Sequence, residues 1–299
     1  MSLVSIGMPV FNDEKFLVKA LNSLLSQTFA DFELIISDDA SSDGSAKICQ
    51  EYAKADKRIT YIRQPVNIGI SANMRFLVSK ASGTYFMWAG NDDKWDKKFL
   101  ERLVPALDKN KDAIAAFCPM VFIDENDKIL ESYGIRRSDY RAPRADQRLR
   151  KLILAFDDSF GYGLFRRTEI QDVRFPRWWW INANCAYNNI YPTLCYYLSK
   201  GNFVMIDSEP LWFNRLKEEK HVNHKVPFNS SLIRGQLAFT LRKFNLVVVS
   251  LAEMYRAAGK VALPARVAPL IIYKWFIYPT YVELKNRISL YRRGKINFY

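Results

Sequence analysis

Two pairs of adjacent carboxylates, Asp38-Asp39 and Asp92-Asp93, carry the chemistry most open to reading in this chain. Asp92 and Asp93 follow an apolar run, Thr84 to Ala89, across the small step Gly90-Asn91. Hard divalent cations such as Mg²⁺ or Mn²⁺ take carboxylate oxygens, keep several waters and accept phosphate oxygens as further ligands. A strand-end carboxylate can therefore hold a cation against a diphosphate and neutralise charge on a leaving group. The competing reading is plain capping of the following helix by Asp93 or Asp96. Asp38 and Asp39 stand directly after a second strand, where they can accept hydrogen bonds from a nucleobase N–H or from ribose hydroxyls. A Ser/Asp-rich cap explains Ser41 to Asp43 equally well, but explains less of the acids at the strand end itself.

A third element is Asn67-Ile68-Gly69-Ile70-Ser71-Ala72-Asn73, where Gly69 permits an unusual turn. A helix opening near Ser71 aims backbone N–H groups toward an anion, although an ordinary helix-to-strand connection accounts for the same residues. There is no GxGxxG and no GxxxxGK[ST], so the dinucleotide and P-loop fingerprints are missing. Further along, Asp157-Asp158 is an acid pair that reads either as a general base or as an exposed loop. Trp178-Trp179-Trp180, preceded by Arg174 and Arg177, offers faces for sugar stacking, for a membrane interface or for the core.

The elements that must position these residues alternate regularly. Strand-like runs are expected at Leu3 to Met8 (stopped by Pro9), Phe32 to Ser37, Ile59 to Arg63 and Thr84 to Ala89. Between them Phe16, Leu17, Ala20, Leu21, Leu24 and Leu25 recur at helical spacing, a second helix runs to about Ala55, and a third ends before Gly83. Strand–helix alternation with short loops marks an α/β domain with a mostly parallel sheet flanked by helices. Ligands of such sheets sit beyond the carboxyl ends of the strands, and the four polar clusters at residues 9–14, 38–43, 67–73 and 90–93 all follow strands. Later segments read as one strand from Ala113 to Phe122, a mobile Arg-rich loop and then a helix start over 131–150, strands at Gly161 to Phe165 and Phe203 to Ile206, and a helix ending at Lys200-Gly201. From Leu232 onward the pattern is helical, with Leu237, Leu241, Phe244, Val248, Leu251 and Tyr255 on one stripe.

In this order the clusters resemble the family 2 glycosyltransferases with the GT-A fold. That family opens with Pro-Val-Tyr-Asn, here Pro9-Val10-Phe11-Asn12, then Ser-Leu-Leu-x-Gln-Thr, here Ser23 to Thr28. Asp-Asp-x-Ser-x-Asp-Gly follows at Asp38 to Gly44, Asn-x-Gly at Asn67 and Gly69, and Gly-x-Tyr at Gly83 and Tyr85. The resemblance runs over residues 3–105. It implies that Pro9, Phe11, Asn12, Asp38 and Asp39 line a nucleoside pocket, with Asn67, Gly69 and Asn73 beside them. It also implies that Asp92 meets a metal-bound diphosphate, with Asp93 or Asn91 as helper, and that a Mn²⁺ or Mg²⁺ ion is the cofactor. The late segment Leu211 to Arg215 is similar to the family's closing strand, so Arg215 is expected to pair with diphosphate or else to make an ordinary salt bridge.

Two departures stand out. The family's Asp-x-Asp falls on Gly90-Asn91-Asp92, which keeps one carboxylate. The Glu-Asp that often supplies the acceptor's base is replaced by Tyr187-Asn188-Asn189-Ile190, and an amide is no general base. Asp157 or Asp158 is left as the candidate base.

The implied reaction is transfer of a sugar, with inversion, from a nucleoside-diphosphate-sugar to an acceptor hydroxyl. A nucleotidyltransferase on a similar fold and a non-catalytic sugar-nucleotide binder are the alternatives. Domain organisation is expected as a GT-A unit over 1–228, with a donor half (1–105) and an acceptor half (106–228), then a basic helical tail over 229–299. That tail carries most of the formal charge of +13: residues 231–299 hold twelve Lys/Arg against two Asp/Glu. A basic, aromatic tail broken by Pro264, Pro269 and Pro279 is a poor membrane span and suits helices lying on anionic lipid. Nucleic acid is the less favoured partner. A glycan or lipid-linked acceptor suits a membrane-surface tail, and a homodimer contact is the other use for it. The N-terminus shows no signal-peptide pattern, and four cysteines without CxxC spacing suggest reduced thiols. A cytoplasmic protein, peripheral on the inner face of the cell membrane, is the expectation.

Overall fold

The computed structural model describes residues 2–137, 139–155, 159–175, 190–217, 247–259 and 262–273. Its first half is built from β1 (Val4–Val10), α1 (Glu14–Leu25), β2 (Phe32–Asp38), α2 (Ser45–Ala55), β3 (Ile59–Arg63), α3 (Ile70–Lys80) and β4 (Tyr85–Trp88). The four strands pair in parallel in the order β3-β2-β1-β4. β1, β2 and β4 are almost entirely buried, as expected when helices cover both faces of a sheet, and the edge strand β3 is more exposed. The helical spacing of α1 places Phe16, Leu17, Ala20, Leu21 and Leu24 on the buried side.

Beyond β4 come β5 (Lys94–Trp95), α4 (Phe99–Lys109), β6 (Ala113–Phe117), β7 (Met120–Ile123), α5 (Ala145–Ala155), β8 (Leu164–Arg166) and the short α6 (Arg167–Ile170). Then follow α7 (Ile190–Lys200), β9 (Asn202–Met205) and β10 (Trp212–Arg215). The central sheet continues β4-β8-β6-β9, with β8 antiparallel to both neighbours and β9 parallel to β6. Four of its six pairings are thus parallel, in agreement with the expected mostly parallel sheet. A second sheet, β5-β10-β7, lies at residues that follow β4 and β6 directly, and brings the late strand β10 next to the loop after β4.

Several local expectations need correction. Pro9 does not stop β1: it has no N–H to give, but the strand continues through it with Pro9 opposite Ser37 and Val10 opposite Asp38. The apolar run from Ala113 to Phe122 is two strands in two sheets, because Pro119 has no donor to carry one ladder across. The strand expected at Gly161 to Phe165 is a 3₁₀ turn over Ser159–Tyr162 followed by β8. The helix start expected within 131–150 is present as α5 from Ala145, while Arg136 ahead of it exchanges backbone bonds with Met120.

Two helical stretches close the described chain: α8 (247–258) and α9 (Ala262–Ile272). Val247 and Met254 of α8 and Val267 and Ile271 of α9 belong to the same buried cluster as Phe165 of β8 and Tyr197 of α7. The described part of the tail is therefore packed into the core of the sheet domain. Among the described residues no helix is long and apolar enough to cross a membrane. Cys49, Cys118 and Cys195 are buried free thiols, whose pKa burial pushes up, and Cys185 lies outside the described residues.

Candidate active site at the strand ends

The loop after β1 and the loop after β2 are stitched together by side chains. Asn12 N–H donates to Ser41 Oγ (3.1 Å) and Ser42 N–H to Asn12 Oδ1 (2.7 Å). Asp13 N–H donates to Ser45 Oγ (3.0 Å), Glu14 N–H to Asp43 Oδ2 (3.0 Å), and Gly44 N–H returns to Glu14 Oε2 (2.6 Å). The first N–H groups of α1 and α2, which no helix can satisfy for itself, are thus capped by each other's residues. Two non-glycine residues here take the left-handed conformation, Asn12 (φ 49°) and Ala40 (φ 62°). Asparagine tolerates it; alanine is strained by it.

Asp38 and Asp39 do different work. Asp38 is fully buried and accepts from Ser41 N–H (2.8 Å) and Tyr61 Oη–H (2.8 Å). Through these two bonds it shapes the turn after β2. Asp39 accepts Ile68 N–H at 2.7 Å on one oxygen and Gly69 N–H at 2.9 Å on the other. Its carboxylate clamps the 67–69 loop, which Asn67 Oδ1 also holds from within through Gly69 N–H (3.0 Å). Gly69 has φ 81° and open space where a Cβ would stand, so the backbone angle is what calls for glycine. Asn73 donates to Ser37 C=O (2.9 Å) at the end of β2, and its own Oδ1 is buried with no hydrogen-bond partner. Phe11 is about half exposed at the rim (48%).

The fourth cluster is organised by β10. Asp93 is buried, with Trp212 Nε1–H on one oxygen (3.1 Å) and Arg215 N–H (3.0 Å) and Asn214 Nδ2 (3.2 Å) on the other. Burial, and then the adjacent Asp92 charge, push its pKa up from the usual carboxylate range. It is neither a helix cap nor an acid with a free oxygen; the turn before α4 is made by Asp96, which accepts Lys98 N–H (2.8 Å). Gly90 makes the arrangement fit, since a Cβ there would meet Asp93 Oδ2 at 2.8 Å and Asp92 Oδ1 at 3.1 Å. Asn91 is half-buried beside them.

Arg215 requires the plainest correction. Its side chain is entirely buried, with Nε–H on Asp92 C=O (2.8 Å), one terminal nitrogen on Asp124 C=O (2.6 Å) and the other on Asp127. Each of its three nitrogens is bonded within the chain, so Arg215 fixes the Asp92 backbone. The cation at the mouth is Lys217, two residues on. Its ammonium lies 2.6 Å from Asp13 Oδ2 and 2.9 Å from Asp92 Oδ2. Arg215 and Lys217 both stand over the Phe16 ring, at 4.9 and 5.6 Å. Sequence reasoning missed Asp13 and Lys217. Asp13 lies within the 9–14 cluster without standing out by type or spacing, and as N-cap of α1 its side chain makes no capping bond. For Lys217 the available signal was period two: residues 215 and 217 share a face.

The four clusters therefore meet. Side-chain bonds join the first to the second, Asp39 joins the second to the third, and Lys217 joins the first to the fourth. Asp157, Asp158, Trp178 to Trp180, Arg177 and Tyr187 to Asn189 lie outside the described residues.

Comparison with known proteins bears on the family and the fold. The family model for glycosyl transferase family 2 matches residues 5–174, more than half of the chain. The chain belongs to glycosyl transferase family 2. Among curated relatives, glycosyltransferase GlyA of Streptococcus pneumoniae is 35% identical over 100 residues, covering 33% of this chain and 14% of that protein. The GalNAc(5)-diNAcBac-PP-undecaprenol beta-1,3-glucosyltransferase of Campylobacter jejuni is 26% identical over 202 residues, covering 67% and 63%. This chain spans less than half the length of each of the first five curated relatives it matches. Among solved structures, Staphylococcus aureus TarS 1–349 in complex with UDP-GlcNAc aligns with TM-score 0.66 at 15% identity, over 92% of this chain and 73% of that one. The mannosyltransferase PcManGT of Pyrobaculum calidifontis, in complex with GDP-Man and Mn²⁺, aligns with TM-score 0.51 at 13% identity, over 98% and 87%. At such identities the structures speak for the fold, which is the GT-A arrangement.

Proposed function

We propose that this chain transfers a sugar from a nucleoside-diphosphate-sugar to an acceptor hydroxyl, with the donor held by residues 1–105 and by Lys217. The observation that carries the reading is the linkage of all four strand-end clusters by side-chain contacts, with Asp92 the solvent-open carboxylate among Asp38, Asp39, Asp92 and Asp93 (side chain 25% exposed). The Asn12–Ser42 and Asp39–Gly69 contacts fix a nucleoside cradle rimmed by Phe11 and Pro9. Asn91 and Asp92 face the diphosphate.

In the transfer, the bond from the anomeric carbon to the β-phosphate oxygen breaks and its electron pair leaves with the nucleoside diphosphate. The acceptor oxygen bonds to the anomeric carbon, with inversion, and its proton goes to a base. Asp157 or Asp158 is the residue assigned to that base. A divalent cation, Mn²⁺ or Mg²⁺, would supply charge neutralisation at the diphosphate. PcManGT's Mn²⁺ complex and the family membership support it. The donor set fits such an ion at Asp92 and Asp13, between which a cationic nitrogen already sits. It does not fit at Asp93, whose oxygens carry three donors.

The acceptor is assigned as a glycan or lipid-linked glycan in surface polysaccharide synthesis, at the inner face of the cell membrane. The basic tail and the exposed Val248, Tyr255, Ile272 and Tyr273 of the terminal helices support it. The domain boundary at 228, a homodimer contact and hexosyl transfer stand as further parts of the same proposal.

A panel of UDP-, GDP- and dTDP-sugars with Mn²⁺ tests the reading. Release of nucleoside diphosphate from one of them is expected. Pyrophosphate release would mark a nucleotidyltransferase, and binding without turnover a non-catalytic binder. For the membrane part, co-sedimentation with anionic vesicles at low salt is expected; no binding there would remove it.

A further inference from the structure

Asp13 and Asp92 come from different loops, yet both carboxylates are held on one ammonium. As N-cap of α1, Asp13 would ordinarily turn its oxygen to the helix N–H groups; it makes no such bond and faces Lys217 instead. The side chains of Asp13 and Asp92 are 10% and 25% exposed, and that of Lys217 is 39% exposed, so the ammonium closes a small acidic pair from the solvent side. Two carboxylates and one ammonium leave a net charge of −1. That is the wrong sign for a diphosphate. Replacing the ammonium between the carboxylates by a divalent cation neutralises the pair and releases the lysine charge, so that the same three side chains plus the ion carry +1.

We infer that Asp13 and Asp92 form the cation-holding pair and that Lys217 is its internal placeholder. Lys217 and a divalent cation exclude one another there, and cation loading frees the Lys217 ammonium for the donor's diphosphate. The inference rests on the reading of Asp92 as the diphosphate-facing carboxylate. It adds two residues, Asp13 as a ligand and Lys217 as a competitor that sets how tightly the cation is held. Lys217 already stands over Phe16 together with Arg215, so its stem has an aromatic face to lie on when the ammonium is released.

The test is Mn²⁺ binding to the nucleotide-free protein, followed by electron paramagnetic resonance of free Mn²⁺. Lys217→Met and Lys217→Gln should each bind Mn²⁺ about tenfold more tightly than the parent chain, a coupling of ordinary size. Asp13→Asn should bind about tenfold more weakly. Lys15→Met also removes a cation beside Phe16, but one paired with Glu125, and should change affinity less than about twofold. Equal or weaker Mn²⁺ binding in both Lys217 variants would overturn the inference. So would unchanged binding in Asp13→Asn, or no binding to any of these proteins at millimolar Mn²⁺. The donor panel is independent of this result: turnover by the parent chain with no gain in the Lys217 variants removes the placeholder alone, whereas no turnover removes the transferase reading itself.

Discussion

The two acid pairs have the same sequence, Asp-Asp, and the same position, a strand end, yet their four carboxylates have four different surroundings. After β2, both acids turn inward: Asp38 closes its own turn and Asp39 clamps the next loop. After β4, one acid is a strut and the other looks out. Asp93 anchors β10 through three donors, while Asp92 meets solvent, Asp13 and Lys217. The donors supplied by other segments decide which acid of a pair is spent on structure.

The sharpest break of this comparison is Asp93→Ala. It leaves Trp212 Nε1–H and Arg215 N–H buried without acceptors, and should cost about 3 kcal/mol in chemical denaturation. Asp92→Asn is the opposite case: transfer should fall about a hundredfold, the usual scale for one charge-stabilising group, while the denaturation midpoint stays within about 0.5 kcal/mol of the parent. If the two variants behaved alike, the division of roles would be wrong.

How much of this was legible beforehand follows from where each contact lies in the chain. The α/β order, the helical face of α1 and the convergence of four polar clusters all follow from local periodicity, which the sequence displays openly. Convergence on Asp92 could be argued from strand ends alone. The fate of Asp93 and Arg215 could not, because their partners lie 88 to 123 residues away and are brought together by the β5-β10-β7 sheet. The break at Pro119 was legible in principle, since a missing N–H disfavours a ladder running on through it, although β1 tolerates Pro9 one residue from its end. Lys217 was hidden by the pull of its neighbour: an arginine at the end of a strand looks like a phosphate ligand until its burial and its three bonded nitrogens are seen.

Two smaller changes sharpen the β2 side. Asp39→Ala frees Ile68 and Gly69 from their clamp and should cost about 2 kcal/mol, with nucleoside diphosphate affinity weakened in calorimetric titration. Had Asp39 only an exposed role, its stability effect would be near zero. Ala40→Gly relieves a left-handed alanine and should stabilise the fold by about 0.5 kcal/mol, the gain in backbone strain partly offset by the freedom glycine adds to the unfolded chain. Destabilisation would mean that the methyl group packs against something the turn needs.

The most direct test of the central claim is one assay run on two proteins: nucleoside diphosphate release from UDP-, GDP- and dTDP-sugars with Mn²⁺, for the parent chain and for Asp92→Asn. The account predicts release from one donor class by the parent and about a hundredfold less by the variant at equal thermal stability. Equal rates in the two proteins, or pyrophosphate as the product, would contradict it.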